Sequence, residues 1–293
     1  MKRSGSKGQT AFARRIAVLA AAAALCPSVV AADAIDLFYE RSFMVAADAR
    51  CGLFRDSAAL ALAAAAHQAR GAALRQGIDA PDLARTAARA RVRARATPCA
   101  SPDLAVAAGR VRHAFDGWMR TRRMSFPGAK AEWAVDRTDY SRPAWRLVQH
   151  SRSGGAPVAF GKAGGPDGDQ ILAVVSFPGR SRPYAARLVM RNPEASPRPW
   201  LAGQTPSTRL PPSARRVIWA SGSGEAAPTL LGAGARHGDA WRFPAAAADA
   251  LSQLDPREGF TLEFLFRDDT VARAHFEAGD LAAARAFLAM GRL

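Results

Sequence analysis

The side chains best suited to moving protons near neutral pH are five histidines: His67, His113, His150, His237 and His275. No two are spaced to put both rings on one helix face with a Glu between them, as a zinc hydrolase helix requires. His67 and His113 lie in Ala-rich or amphipathic stretches, where packing or solvation accounts for them. His150 and His275 fall on expected strands and could converge there on an Asp or Ser, the kind of constellation that general-base catalysis needs. No residue is assigned a catalytic, cofactor-binding or metal-ligating role, and no cofactor is expected.

Two glycine-rich runs resemble motifs without meeting their chemistry. Gly161-Lys162-Ala163-Gly164-Gly165-Pro166-Asp167-Gly168-Asp169 offers glycines, a lysine and two acids. A phosphate loop needs Gly-Lys-Ser/Thr entering a helix, and an EF-hand loop needs alternating acids with a distal Glu. The run is expected to be a hairpin loop. Ser221-Gly222-Ser223-Gly224-Glu225 has Ser where a nucleophile elbow requires its first Gly, and it too is expected to be a loop.

Acids gather near the end of the chain. Asp255-Pro256-Arg257-Glu258-Gly259 precedes one expected strand, and Glu277-Ala278-Gly279-Asp280 follows its partner. A hairpin would bring Asp255, Arg257, Glu258 and Glu277 to one open end as a small polar site. Asp280 is placed to cap the closing helix. Trp200, in a Pro-rich segment, is either a partner contact or tucked under its own loop.

Arginines form the other cluster. Arg89, Arg91, Arg93 and Arg95 recur at every second position of an expected helix, and Arg120, Arg122 and Arg123 follow the next one. Every-second spacing spreads side chains around a helix, so a solvated surface explains the first group, and the second complements a helix C-terminus. A polyanion-binding strip is the alternative, and it requires both groups to form one continuous patch.

The chain of 293 residues carries a net charge of +16. Its first segment has Lys2, Arg3, Lys7, Arg14 and Arg15, then the apolar run Ile16–Leu25, then small residues through Ala34. That order is a signal peptide, with cleavage after Ala32 or Ala34. The apolar run is half the roughly 20 residues a spanning helix needs, so no transmembrane segment is expected after cleavage. Leu25 before Cys26 is too bulky for lipoprotein processing, and Ala13 and Ala17 flank Arg14-Arg15 poorly for twin-arginine export. Removing residues 1–34 takes away five of 41 basic residues and one of 25 acidic ones, which leaves +12. Export makes nucleic acid an improbable partner and leaves anionic lipid, polysaccharide or an acidic protein. Cys51 and Cys99 then remain as an even pair for an oxidising compartment, and a disulfide between them is expected.

The elements behind these residues fall into two grammars. Residues 35–126 read as a small helical bundle. Helices are expected near 36–48, 57–76, 81–97 and from Ser101-Pro102-Asp103 onward, where Leu104, Ala108, Val111, Phe115 and Trp118 make one apolar stripe. Residues 133–293 read as an antiparallel β domain, sandwich or open barrel, with one or two packed helices. Strands are expected at 145–149, 158–161, 171–177, 185–190, 217–220, 260–266 and 271–276, with a surface loop over 192–213. Phe260 to Phe266 has an apolar residue at every even position, for one well-buried face. The class is therefore α+β. The closing pattern, a strand pair ending in Gly279 and an Ala-rich helix, resembles that of secreted invasion-associated locus B proteins, and neither function nor residue roles are carried over from it.

Together these observations lead to an exported, periplasmic or secreted bacterial protein that is a non-enzymatic binding module of the envelope. An envelope hydrolase with a dispersed site, and an anionic-surface binder acting through the Arg-rich helices, are the alternatives.

Overall fold

A computed structural model describes residues 27–165, 168–201 and 209–293, with side chains from residue 34 onward. The basic and apolar part of the expected signal peptide lies outside the described residues. Both expected cleavage positions fall within the first helix of the full chain.

Four helices come first: α1 (Pro27–Cys51), α2 (Asp56–Arg75), α3 (Ala80–Ala96) and α4 (Pro102–Arg120). α1 packs on α2 and α3, and α2 packs on α4. Ala58, Ala61, Ala64, Ala65, Ala69, Gly71 and Ala73 of α2 are buried. The alanines favour a helix, and all seven small residues let its neighbours approach closely. Leu104, Ala108 and Phe115 of the α4 stripe are buried, with Val111 and Trp118 packed at the rim of the same cluster. Ser101 and Asp79 stand at N-cap positions, yet neither side chain makes a capping bond.

Eleven strands follow among the described residues: β1 (Arg123–Pro127), β2 (Glu132–Asp136), β3 (Ala144–Ser153), β4 (Ala156–Gly165), β5 (Gly168–Val175), β6 (Ala185–Arg191), β7 (Arg215–Trp219), β8 (Gly222–Glu225), β9 (Asp239–Phe243), β10 (Gly259–Leu265) and β11 (Val271–Glu277). Two short helices, α5 (Ala246–Ser252) and α6 (Leu281–Ala289), complete the fold. The strands form two antiparallel sheets, ordered β1-β2-β3-β4-β5-β9-β8 and β11-β10-β6-β7. The protein is thus α+β, a helical region followed by antiparallel sheets. Aromatic rings fill the space between the sheets. Phe160 of the larger one lies 5.5 Å from Phe260 and 5.7 Å from Phe276 of the smaller one.

Three local expectations are corrected. Gly161–Gly165 is the end of β4 rather than a loop, and Lys162 there pairs with Asp169 of β5 at 2.9 Å. Gly222–Glu225 is likewise strand β8. β10 is buried on both faces: Phe260, Leu262 and Phe264 enter the core, while Thr261 and Glu263 are covered on the other side. The strands β1, β2, β8 and β9 have no counterpart among the expected ones. Each is five residues or fewer, too short to show a period.

Helices and sheets are not separable at their contact. α6 packs on α2 and also on β1, β2 and β3. Trp118 of α4 meets Phe287 of α6 edge-on at 6.3 Å. Arg137, just after β2, is 2 % exposed. Its guanidinium donates to the carbonyls of Trp118, Met119 and Thr121 at the end of α4 and of Met290 and Gly291 after α6, at 2.8–3.4 Å. Helix ends leave such carbonyls short of intrahelical donors, although that of Trp118 also accepts the Thr121 N–H at 3.1 Å.

The disulfide Cys51–Cys99 links the last residue of α1 to the turn before α4, and the sulfurs are 2.04 Å apart. It closes a loop of sequence separation 48 around α2 and α3. In the chain-entropy model such a loop stabilises by about 4 kcal/mol. Urea denaturation of Cys51→Ala/Cys99→Ala should show a loss of that order, and reductant should lower the wild-type midpoint but leave the variant's unchanged.

Candidate functional site

The four residues expected to form a polar site do lie at the open end of the β10–β11 hairpin, where Gly259 pairs with Glu277. They do not converge on a common centre. Glu258 is 2 % exposed and grips Arg191, the last residue of β6, at 2.6 and 2.7 Å. Its carboxylate also accepts the N–H groups of Trp200 and Asp255 at 2.9 and 2.8 Å. Asp255 holds Arg257 through both oxygens at 2.9 and 3.1 Å. Burial alone would raise the Asp255 carboxyl, but the bonds from Arg257 outweigh that and hold it below its usual value. Glu277 turns the other way and accepts the backbone N–H groups of Lys130 and Ala131 at the β1–β2 turn.

Asp280 is corrected from its expected role. It occupies the N-cap of α6 but makes no side-chain cap. Its fully buried carboxylate takes Arg75 of α2 instead, at 2.9 Å through each oxygen. Burial pushes this carboxyl up, and Arg75 offsets that only in part. Gly71, one turn before Arg75, permits the approach: a Cβ there would overlap the Asp280 carboxylate. Gly128 does the same for Glu277. Each acid here has its own donors, so the chemistry the arrangement supports is the fastening of strands, turns and helices.

The histidines do not supply a base–acid pair. His275 Nδ1 lies 3.1 Å from Thr261 Oγ1 on the neighbouring strand. Among the described residues neither His150 nor His275 is hydrogen-bonded to a carboxylate. His237 lies 3.6 Å from Glu225 with both side chains in solvent. Trp200 is half-buried, its backbone tied to Glu258 as above.

Arg89, Arg91, Arg93 and Arg95 are exposed on α3, which packs on α1. Arg120, Arg122 and Arg123 are exposed at the far end of α4, which packs on α2. Arg120 pairs with Asp116, and Arg123 pairs with Asp136 at 2.8 Å. The first group therefore lies on α3, while the second runs from the end of α4 to the start of β1, with acids paired to Arg120 and Arg123.

Two surface features lay outside the expected sites. The first is a shallow groove of about 430 Å³ over β1–β3, lined by Arg123, Met124, Ser125, Asp136, Trp145 and their neighbours. Asp136 Oδ2 accepts from Arg123 at 2.8 Å and from the Tyr140 hydroxyl at 2.7 Å, and Oδ1 accepts the Thr138 N–H at 2.8 Å. Partial burial would raise this carboxyl, but those bonds hold it down at about 2.

The second is the outer face of the smaller sheet. Its central row crosses all four strands: Arg273, Glu263, Arg187 and Trp219 stand side by side in register. Glu263, 3 % exposed on its side chain, takes Arg187 at 2.8 Å and Arg273 at 2.9 Å. The Arg187 guanidinium lies 5.1 Å from the Trp219 ring centroid. Trp219 is 49 % exposed, and its neighbour Val217 is 40 % exposed. The sequence signal for this row was a Thr and a Glu inside the Phe/Leu strand β10. Their partners depend on strand register, which composition does not reveal.

Two measurements check this chemistry. Arg191→Met leaves the Glu258 carboxylate buried and should cost about 3 kcal/mol, at the low end for a broken buried pair because two N–H donors remain. Pairing it with Glu258→Gln should recover part of the loss in the same urea titration. Asp136 has a folded pKa below its unfolded value, so its stabilising contribution is present above the unfolded pKa and is lost as pH falls toward about 2. Asp136→Asn should flatten the stability–pH curve between about pH 4 and pH 2 relative to wild type. Parallel curves would mean the carboxylate is not held as described.

No family model matches this chain, and no curated protein or solved structure is significantly similar to it, so the resemblance of the closing pattern rests on that pattern alone.

Proposed function

We propose that this chain is an exported, non-enzymatic binding module of a bacterial cell envelope, periplasmic or secreted, and that it engages its partner through the outer face of the smaller sheet. The observation that carries the reading is the half-exposed Trp219, braced by Arg187 and flanked by Val217 on its own strand, with Arg273 at the far end of the same cross-strand row. Trp and Arg anchors on a rigid element dominate binding energy in protein interfaces. Glu263 fixes both guanidiniums before any partner arrives, which lowers the ordering cost of association.

Export is supported by the basic, apolar and small-residue order of the first 34 residues and by the Cys51–Cys99 bond, which suits an oxidising compartment. No helix among the described residues is long and apolar enough to cross a membrane. In this reading residues 1–34 are removed, 35–126 brace the fold, and 133–293 carry the binding face. The acids at the sheet end serve as fasteners, which favours binding over hydrolysis.

A photoreactive residue at position 219, with the protein at native level in its own cells, should give one adduct of defined mass. The same residue at exposed Val106 on α4 should not. With the partner identified, Trp219→Ala should weaken binding by about 2 kcal/mol, roughly thirtyfold in Kd. No adduct from position 219, or equal labelling from 106, would sink the proposal.

A further inference from the structure

Four strands end the two sheets, and three of them are blunted. β1 carries Arg123 and Pro127. β8 is four residues long with two glycines. β11 lies against β3, whose Ser151 and Gln149 side chains bond the outward His275 carbonyl and Glu277 N–H. These are ordinary ways of stopping one sheet from pairing with another. β7, with the sequence Arg215-Arg216-Val217-Ile218-Trp219, has neither Pro, Gly nor a cover among the described residues.

The direction of its backbone follows from register. Ala220 N–H donates to the Ala186 carbonyl at 2.9 Å, and Asn192 N–H donates to the Ala214 carbonyl at 2.8 Å. Both pairs continue the β6–β7 register, in which Leu188 meets Ile218 and Met190 meets Arg216. In an antiparallel ladder every second pair exchanges hydrogen bonds. The even-numbered residues of β7 therefore bond β6, and the N–H groups of Val217 and Trp219 and the C=O groups of Arg215, Val217 and Trp219 point away from the sheet, the Arg215 N–H being already donated to the Pro212 carbonyl.

We propose that two copies of this chain join edge to edge through β7, antiparallel, about a two-fold axis at Val217. The strand is self-complementary in that register. Val217 faces the partner's Val217, and Arg215 faces the partner's Trp219. The free outward groups of the two strands then meet in four N–H···O=C bonds, two at Val217 and one from each Trp219 N–H to the partner's Arg215 carbonyl. The exposed Val217 gains an apolar neighbour. Trp219 gains a second guanidinium, repeating the cation–π contact it already makes with Arg187. The two arginines of β7 do not oppose the union freely. Arg215 Nε donates to the Leu210 carbonyl, and Arg216 is tied to Glu194 at 3.2 Å and to Asn192 at 3.0 Å. The pairing continues the smaller sheet to eight strands and puts the same Val217 and Trp219 at its seam, so an adduct from position 219 with the mass of two copies of this chain reports the dimer, and one of any other mass reports the partner proposed above.

A single substitution tests the register. In a hydrogen-bonded antiparallel pair the Cα atoms lie about 5.5 Å apart, within the roughly 4.4–6.8 Å that a disulfide spans. In a Cys26→Ser background, Val217→Cys should form a disulfide-linked homodimer under mild oxidation. Val92→Cys and Val106→Cys, at more exposed helix positions, should not. Sedimentation equilibrium of the Cys26→Ser protein should show a concentration-dependent dimer. Val217→Pro removes an outward N–H and no ladder bond of its own chain, so it should weaken that dimer at least tenfold with unchanged secondary structure by circular dichroism. Val217→Lys places two charges across the axis and gives the same readout where Pro disturbs the strand. A protein that stays monomeric, crosslinking at 217 no faster than at 92 and 106, or a dimer indifferent to both variants would each overturn the proposal. So would a monomer that takes an unrelated extended peptide along β7.

Discussion

Among the described residues, no carboxylate pairs with the buried Arg137. Its guanidinium instead collects carbonyls from the last turns of α4 and α6, while its own backbone bonds Arg122 and Leu293. Burial and the nearby Arg146 lower its pKa. The carbonyls are nonetheless the negative ends of two helices, and a cation there is favourable. One side chain thus gathers carbonyls at the ends of both helices, and it fixes where both helices end relative to β2. The Phe287 ring, 5.2 Å below the guanidinium, belongs to the same junction and carries the aromatic core onward to Phe126 and Trp118.

The same logic recurs with opposite charge at the other end of the fold. Asp255, Glu258 and Asp280 are all taken from water, and each is held by an arginine from a different place: the adjacent turn, β6 or α2. Breaking such a pair leaves an uncompensated buried charge, so the pairs impose register more than they add net stability. Arg75 and Asp280 show how local sequence yields to this. A carboxylate at an N-cap ordinarily bonds its own helix. Here the helix start is packed against Gly71, and the nearest strong donor is Arg75 of α2.

Much of the architecture was legible in the residues. Helical periodicity from Leu104 to Trp118 reflects burial of one face, and the alternation from Phe260 to Phe266 marks the face of β10 that enters the core, both local signals. Cys51 and Cys99 are the only cysteines besides Cys26. The site was less legible, for a definite reason. Asp255, Arg257, Glu258 and Glu277 lie at one end of the β10–β11 hairpin, and that placement follows from local geometry. What each acid bonds depends on Arg191, Arg75 and Lys130, which are remote in sequence and brought near by sheet order. Trp219 escaped notice because its meaning comes from Arg187 beside it in register and from β7 lying at an edge. The short strands β8 and β9 were hidden by glycine and by length.

The distance along the chain between Arg75 and Asp280, 205 residues, orders the assembly in time. A polypeptide that emerges N-terminus first presents the small-residue face of α2 long before α6 exists to cover it. The Cys51–Cys99 bond needs only the first hundred residues, so it can clamp the four helices during that interval. The helical region then waits, tethered but incompletely packed, for the sheets to deliver its lid. Synthesis or translocation that stalls before the final hairpin would strand a crosslinked fragment with an open apolar surface, the species most exposed to proteases and to aggregation.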